Sequence, residues 1–294
     1  MKKTKKLQKI CELGLEAVPP FNFKYTVYKP SHFPTKLEDF DEVSESMYRT
    51  FRLSQDKLVG LKMVDLQKAR GKDGIMTEIF SNRTLTEQDL QRIRSHINHA
   101  YGLNEDVKSF YKAVADDLSI QGPIKNLRGM RVSCFENLFE ILNISSMLQN
   151  TTVKRSEQMM ENMLSTFGRK VVYDWTQLYV FYTPQDIVAS SEQKLRDLKV
   201  GYRAKFIMDI AKHFSTNIDL ADRLKTKDFD EAKEELMEIR GVGPYSARIA
   251  LFQYLRRPNE INFDSWKRKI FSKLFFGNDD KPVEKVEKEA KQRW

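Results

Sequence analysis

Hydrophobic and polar positions change rhythm about a third of the way along the chain. From Phe21 the stretch FNFKYTVY sets Phe21, Phe23, Tyr25 and Val27 against Asn22, Lys24 and Thr26, and this period of two predicts a half-buried strand. SMYRTFRLS, KLVGLKMVDL and GIMTEIF continue as strand-like runs, separated by charged or glycine-bearing turns such as KARGKDG. Together they predict a small antiparallel sheet. After NRTLTEQDLQRIRSHINHAYG, where Thr84 or Thr86 is placed to cap a helix, strand patterning gives way to helical patterning. Helices are predicted over Asp106 to Ala115, Phe135 to Leu148, Val153 to Phe167, Pro184 to Ser190 and Gly201 to Phe214, with a pair on either side of Gly241. The tail from Asn278, with alternating charges around Val283 and Val286, reads as a solvated amphipathic helix. The expected fold class is α+β: an N-terminal antiparallel β domain with flanking helices over residues 1–105, then an all-helical domain over 106–294.

Composition narrows the partner more than the fold. The 294 residues carry 50 lysines and arginines against 41 acidic residues, a net charge of +9 and a pI near 9.3, so the field around the molecule favours polyanions. Cys11 and Cys134 match no metal-ligand spacing and are too few for a disulfide framework, which points to a reducing compartment. The basic N-terminus interrupts its apolar residues with Lys9, Glu12 and Glu16 and lacks the core of a signal peptide. No run is long enough to span a bilayer. A monomer in the cytoplasm, close to the nucleoid, is expected, or in the nucleus of a eukaryote. His32, His96, His99 and His213 show no metal or triad spacing, and His96 and His99 are expected at the surface of a shared helix face.

One stretch breaks a helix and restarts it at once. In LMEIRGVGPYSARIALF, Leu236 to Phe252, two glycines and a proline sit between two helical patterns. A tight turn there can turn the first N–H groups of the second helix toward a phosphate, with Gly241 and Gly243 permitting positive φ or a close phosphodiester approach. Pro244 fits a first helical turn, which requires no N–H of it. Ser246 is placed to donate a further hydrogen bond. On spacing alone, an ordinary helical hairpin reads equally well.

The order of segments carries a resemblance. LMEIRGVGPYSARIAL followed by INFDSW resembles the helix-hairpin-helix, glycine/proline loop and downstream aspartate of the HhH-GPD superfamily of DNA glycosylases, nearest to the 3-methyladenine or alkylbase branch. Upstream, FENLFEILNISSMLQNTTVKRSEQMMENMLSTFG is similar to the segment that bears the DNA-intercalating loop, and VGYRAKFIMDIAKHF to another helix start of that family. VPPFNFKYTV and SMYRTFRL resemble the extra β domain of its alkylbase and 8-oxoguanine branches.

The resemblance implies residue roles and a partner, double-stranded DNA containing a damaged base. Asp264 falls on the catalytic carboxylate. An anion there would stabilise the charge that builds on the sugar as an N-glycosidic bond breaks, and aspartate at that place also suits a helix N-cap. Tyr245 stands where strand-nicking members carry a nucleophilic lysine, which implies a monofunctional, water-using enzyme without lyase activity. The absence of a four-cysteine cluster disfavours the iron–sulfur branch. Gln149, Asn150 and Thr151 match the loop that plugs the duplex, where asparagine is nearer to the 8-oxoguanine branch; Thr151 or Thr152 also suits an N-cap. Tyr245, Tyr202 and Arg203 are implied as walls of the base pocket, an aromatic ring favouring a cationic alkylated purine such as 3-methyladenine or 7-methylguanine. Uracil, hypoxanthine or 8-oxoguanine excision, or non-catalytic recognition of damaged DNA, remain as alternatives. Main-chain carbonyls of Met237, Ile239 and Val242 are implied to hold a monovalent cation, Na+ or K+; no other cofactor is implied. Alkylbase relatives usually continue past an RW like Arg293 and Trp294 into a helix bearing a pocket aromatic, which implies weak activity without it.

Overall fold

The computed structural model describes residues 4–28, 36–135, 137–257, 263–278 and 280–293. His32 and Trp294 lie outside them. In chain order, the first part holds β1 (Lys5–Lys6), β2 (Gln8–Glu16), α1 (Phe23–Val27), β3 (Glu38–Asp41), β4 (Ser46–Arg52), β5 (Leu58–Asp65), α2 (Leu66–Arg70), β6 (Gly74–Ser81) and α3 (Glu87–Tyr101). Then come α4 (Val107–Ala113), α5 (Gln121–Asn126), α6 (Leu138–Leu148), α7 (Val153–Phe167), β7 (Arg169–Tyr173), β8 (Thr176–Val180), α8 (Pro184–Val188), α9 (Glu192–Asp197) and α10 (Arg203–Thr216). The chain closes with α11 (Leu220–Thr226), α12 (Phe229–Met237), α13 (Pro244–Leu255), α14 (Ser265–Phe276) and α15 (Val283–Arg293).

β2, β6, β5, β4 and β3 form an antiparallel sheet in that order, with α3 laid on it. Ile75, Ile79, Leu61 and Met63 of the sheet and Ile93, Ile97 and Ala100 of α3 are fully buried together, each large side chain contributing roughly 1.5–3 kcal/mol. Thr86 caps α3 with a capping box to Asp89. The α+β class and the sheet are as expected, but three readings need correction. Phe21–Val27 is no strand: the Asn22 side chain accepts the Tyr25 N–H and caps the short helix α1, which buries Phe23, Thr26 and Val27 at helical spacing. The edge strand β2 occupies the N-terminal segment, where the hydrophobic pattern predicts no element. Strand patterning also does not stop with the first sheet. β7 and β8 form a hairpin, and β1 adds to β7 in parallel, so the C-terminal part is not all helical. Leu7, Tyr48, Leu58, Phe80, Val171, Tyr173, Leu178 and Val180 fuse the two sheets into one buried seam.

The helical body is a second core. α6 buries every residue from Leu138 to Met147 except the half-buried Glu140, and is packed by α7, α10 and α13. α15 docks Val286 and Ala290 into the body while its charged residues face outward, and Arg248 of α13 meets Glu287 at 3.4 Å, so one side of the predicted solvated helix is held. His96 and His99 are not surface groups. His96 is buried and stacked on Phe51 with ring centroids 4.1 Å apart, and His99 Nε2 lies 2.7 Å from the Tyr254 carbonyl oxygen. Both cysteines are free thiols. No helix among the described residues is long and apolar enough to cross a membrane.

Candidate active site

The hairpin is built as its sequence requires. A capping box at Asp228 starts α12, and the chain turns through Gly241, at φ +92°, before Pro244 opens α13. The Val242 N–H donates to the Ile239 carbonyl at 3.0 Å and closes the turn, while Ile239 and Val242 are buried beneath it. No side chain caps α13, so the donors of its first turn are left to other partners. The two glycines differ. A Cβ on Gly241 would come within 2.5 Å of Phe206, whereas on Gly243 it would meet nothing within 4 Å and the backbone is ordinary. Gly241 is demanded by the fold; Gly243 keeps an approach open.

Asp264 begins α14. Its carboxylate accepts the Lys267 N–H at 2.7 Å, so the N-cap is real, and that bond fixes the side-chain direction while engaging only Oδ1. The preceding Phe263 packs edge-on against Phe271 at 5.4 Å and holds the entry to the helix. Lys267, Lys269 and Lys273 lie exposed along α14. Tyr245, 46% exposed on the first turn of α13, is near enough for its hydroxyl to be pushed above the ordinary tyrosine range by burial and then by the Asp264 charge. The ring and the carboxylate stand at the starts of successive helices, α13 and α14.

The predicted loop residues divide. Asn150 is exposed at the tip, in the left-handed region at φ +46°, a conformation asparagine tolerates better than most side chains. Thr151 follows it half-buried, and Thr152 is the cap of α7, accepting the Arg155 N–H. Gln149 turns inward: its amide donates to Ser246 Oγ at 3.2 Å and to the Gly241 carbonyl at 3.4 Å. Ser246 is itself 3% exposed, packed under the hairpin rather than offered to a phosphate. Arg203, expected as a pocket wall and more commonly solvated at a helix start, is 6% exposed and donates to the carbonyls of Ser146, at 3.1 Å, and Gln149. Its guanidinium also lies 4.6 Å from the ring centre of Tyr202, which sits half-exposed with its ring edge-to-face on Phe206. Phe206, beneath Gly241, was missed from sequence; its signal is its place four residues after Tyr202, on the same side of α10. Among the described residues no group of three or more histidine, cysteine or acidic side chains is placed to hold a metal.

The exposed loop tip, the hairpin with open backbone donors and the helix-capping aspartate follow one another in the order that the resemblance expects. Residues 144–294 match the family described as HhH-GPD superfamily base excision DNA repair protein, and the chain belongs to that superfamily. It is a base-excision repair DNA N-glycosylase. A probable N-glycosylase/DNA lyase of Methanothermobacter thermautotrophicus is 25% identical over 219 residues, covering 67% of this chain and 70% of the relative. The DNA-3-methyladenine glycosylase of Bacillus subtilis is 22% identical over 228 residues, covering 76% and 75%. Two solved structures share the fold. The 3-methyladenine DNA glycosylase from Archaeoglobus fulgidus superposes with a TM-score of 0.76 at 18% identity, covering 97% of this chain and 92% of that one. The Clostridium acetobutylicum 8-oxoguanine glycosylase/lyase, solved with double-stranded DNA containing cytosine opposite 8-oxoguanine, gives 0.71 at 17% identity over the same shares.

Proposed function

We propose that this glycosylase is monofunctional: it extrudes an alkylated purine, of the 3-methyladenine or 7-methylguanine kind, from duplex DNA and hydrolyses its N-glycosidic bond with Asp264. The observation that carries this reading is Tyr245, half-exposed on the uncapped first turn of α13 where a lyase needs an amine, followed by Asp264 at the start of α14. As the bond stretches, positive charge grows on the sugar, and a carboxylate held by its cap stabilises it where it develops. The same carboxylate orients the attacking water and takes its proton. An electron-rich ring prefers a cationic base over a neutral one, by a factor of roughly ten when partly desolvated. The backbone donors of α13, Gly243 and Tyr245 grip the phosphate, and Asn150 and Thr151 enter the stack left by the base. Extrusion costs a few kcal/mol, offset by the plug and by stacking in the pocket.

The reading extends to a monovalent cation, which the carbonyls of Met237, Ile239 and Val242 would hold. Met237 ends α12, where helical carbonyls run out of intrahelical partners, Ile239 and Val242 lie in the turn beyond it, and the Ile239 oxygen accepts one hydrogen bond and keeps a second lone pair. Such an ion would supply positive charge toward the phosphate.

The test is base release from duplexes carrying 7-methylguanine, hypoxanthine, uracil or 8-oxoguanine, with Asp264→Asn and Asp264→Ala beside the parent. Asparagine caps helices as well as aspartate does, so Asp264→Asn should keep stability within ~0.5 kcal/mol and lose roughly 10²–10³-fold in rate, whereas Asp264→Ala should also lose about 1 kcal/mol of stability. Release of 7-methylguanine at an unchanged rate by Asp264→Asn would overturn the role of Asp264. Preferential release of 8-oxoguanine would move the substrate to the branch that Asn150 resembles.

A further inference from the structure

The inward side chains of Gln149 and Arg203 have no place in a direct reading of the DNA interface. Both were expected to touch the substrate. Gln149 instead spends its amide donors on Ser246 Oγ and the Gly241 carbonyl, so the plug loop is tied to the phosphate-binding hairpin across 92 residues of sequence. Arg203 clamps the other side of the same loop, holding the last carbonyls of α6 at Ser146 and Gln149, which the helix leaves without intrahelical partners. Phe206, one turn further along α10, supports Gly241 from beneath. Loop and hairpin therefore rest on one buried polar strut. Asn150, directly after Gln149, takes a left-handed backbone conformation.

We infer that Gln149 and Arg203 are positioning residues that couple phosphate gripping at the hairpin to insertion of the plug at Asn150, an inference resting on the glycosylase reading above. A hairpin seated on a phosphate fixes Gly241 and Ser246, and through Gln149 it fixes where Asn150 enters the duplex. The strut contributes little to holding undamaged DNA, because its atoms face each other and not the ligand. It contributes to extrusion, because that step needs a plug of fixed position.

The experiment uses the full chain and a duplex with 2-aminopurine beside a 7-methylguanine, whose fluorescence rises when its neighbour leaves the stack. Gln149→Glu keeps the shape but removes the amide donors; Gln149→Ala removes the contact, and Arg203→Lys keeps charge without the forked geometry. For each variant the melting temperature, the affinity for undamaged duplex, the rate of the fluorescence rise and the split of excision into kcat and KM are measured. The expected result is melting and affinity close to the parent's, with extrusion rate and kcat both down about tenfold and KM held. Ser246→Ala added to Gln149→Ala should bring no further loss, since the pair acts as one unit. Equal extrusion rates in parent and Gln149 variants overturn the inference and leave the glycosylase reading intact. A parallel fall of duplex affinity also overturns it, by making Gln149 an ordinary DNA contact. If the parent itself extrudes and releases nothing, the glycosylase reading fails and this inference with it, a pattern distinct from the other two.

Discussion

Gly241 and Gly243 stand two residues apart and answer to different demands. Gly241 combines a positive φ with a Cβ position filled by Phe206. Gly241→Ala should therefore cost roughly 2–4 kcal/mol, from a strained backbone and an overpacked contact, and lower the melting temperature. Gly243→Ala should leave stability within ~0.5 kcal/mol, since its Cβ points into open space, yet weaken duplex binding about tenfold by obstructing the phosphate. Equal effects of the two substitutions on melting and on binding would show that the hairpin does not divide its labour in this way. From sequence the two glycines were indistinguishable, because the difference lies in Phe206, 35 residues earlier. The inward turns of Ser246, Gln149 and Arg203 escaped the sequence for the same reason. A polar side chain near a turn reads as exposed until a buried partner is known. The cap at Asp264 was legible, since aspartate at a helix start accepts a backbone N–H.

At the scale of elements, local signals served where local physics decides. Thr86, Thr152 and Asp264 cap the helices they were expected to cap, and α7 spans the predicted Val153 to Phe167. Phe21–Val27 failed because Phe23, Thr26 and Val27 fit a spacing of three and four as well as alternation fits the aromatics, and the Asn22 cap settles the choice. β1 and the β7–β8 hairpin failed differently: a two-residue strand has no period, and its pairing with Val171 and Val172 is a contact across most of the chain. The joint between the sheet and α6 yields a prediction of its own. Burial pushes the Glu140 carboxyl up to about 7, against the pull of the Arg49 guanidinium and with the push of Glu38. The unfolded chain ionises first as pH rises, so the folded protein keeps full stability from this group below its ordinary range, near 4.5, and loses it progressively up to about 7. The loss is on the order of 3 kcal/mol. Glu140→Gln should remove that slope, so the variant's melting temperature gains on the parent's between about pH 4.5 and about pH 7. A gap that does not change with pH would contradict the burial of a neutral acid there.

The whole molecule brings its two cores to bear on one face. The fused sheets hold the N-terminal half and the β7–β8 hairpin together, while α6, α10 and α13 converge so that a loop tip, a helix start and a hairpin lie side by side. The net charge of +9 suits that face to a polyanion, and membership of the base-excision superfamily gives the polyanion its identity. The proposed chemistry turns on Tyr245, since the first turn of α13, Pro244 to Ala247, carries no amine. The most direct measurement follows an end-labelled duplex bearing one 7-methylguanine, resolved with and without alkali and with and without borohydride. A released base, an intact strand until alkali is added, and no protein–DNA adduct under borohydride are the predicted result. A strand cut without alkali, together with a borohydride-trapped adduct, would show an amine nucleophile at work and contradict the account.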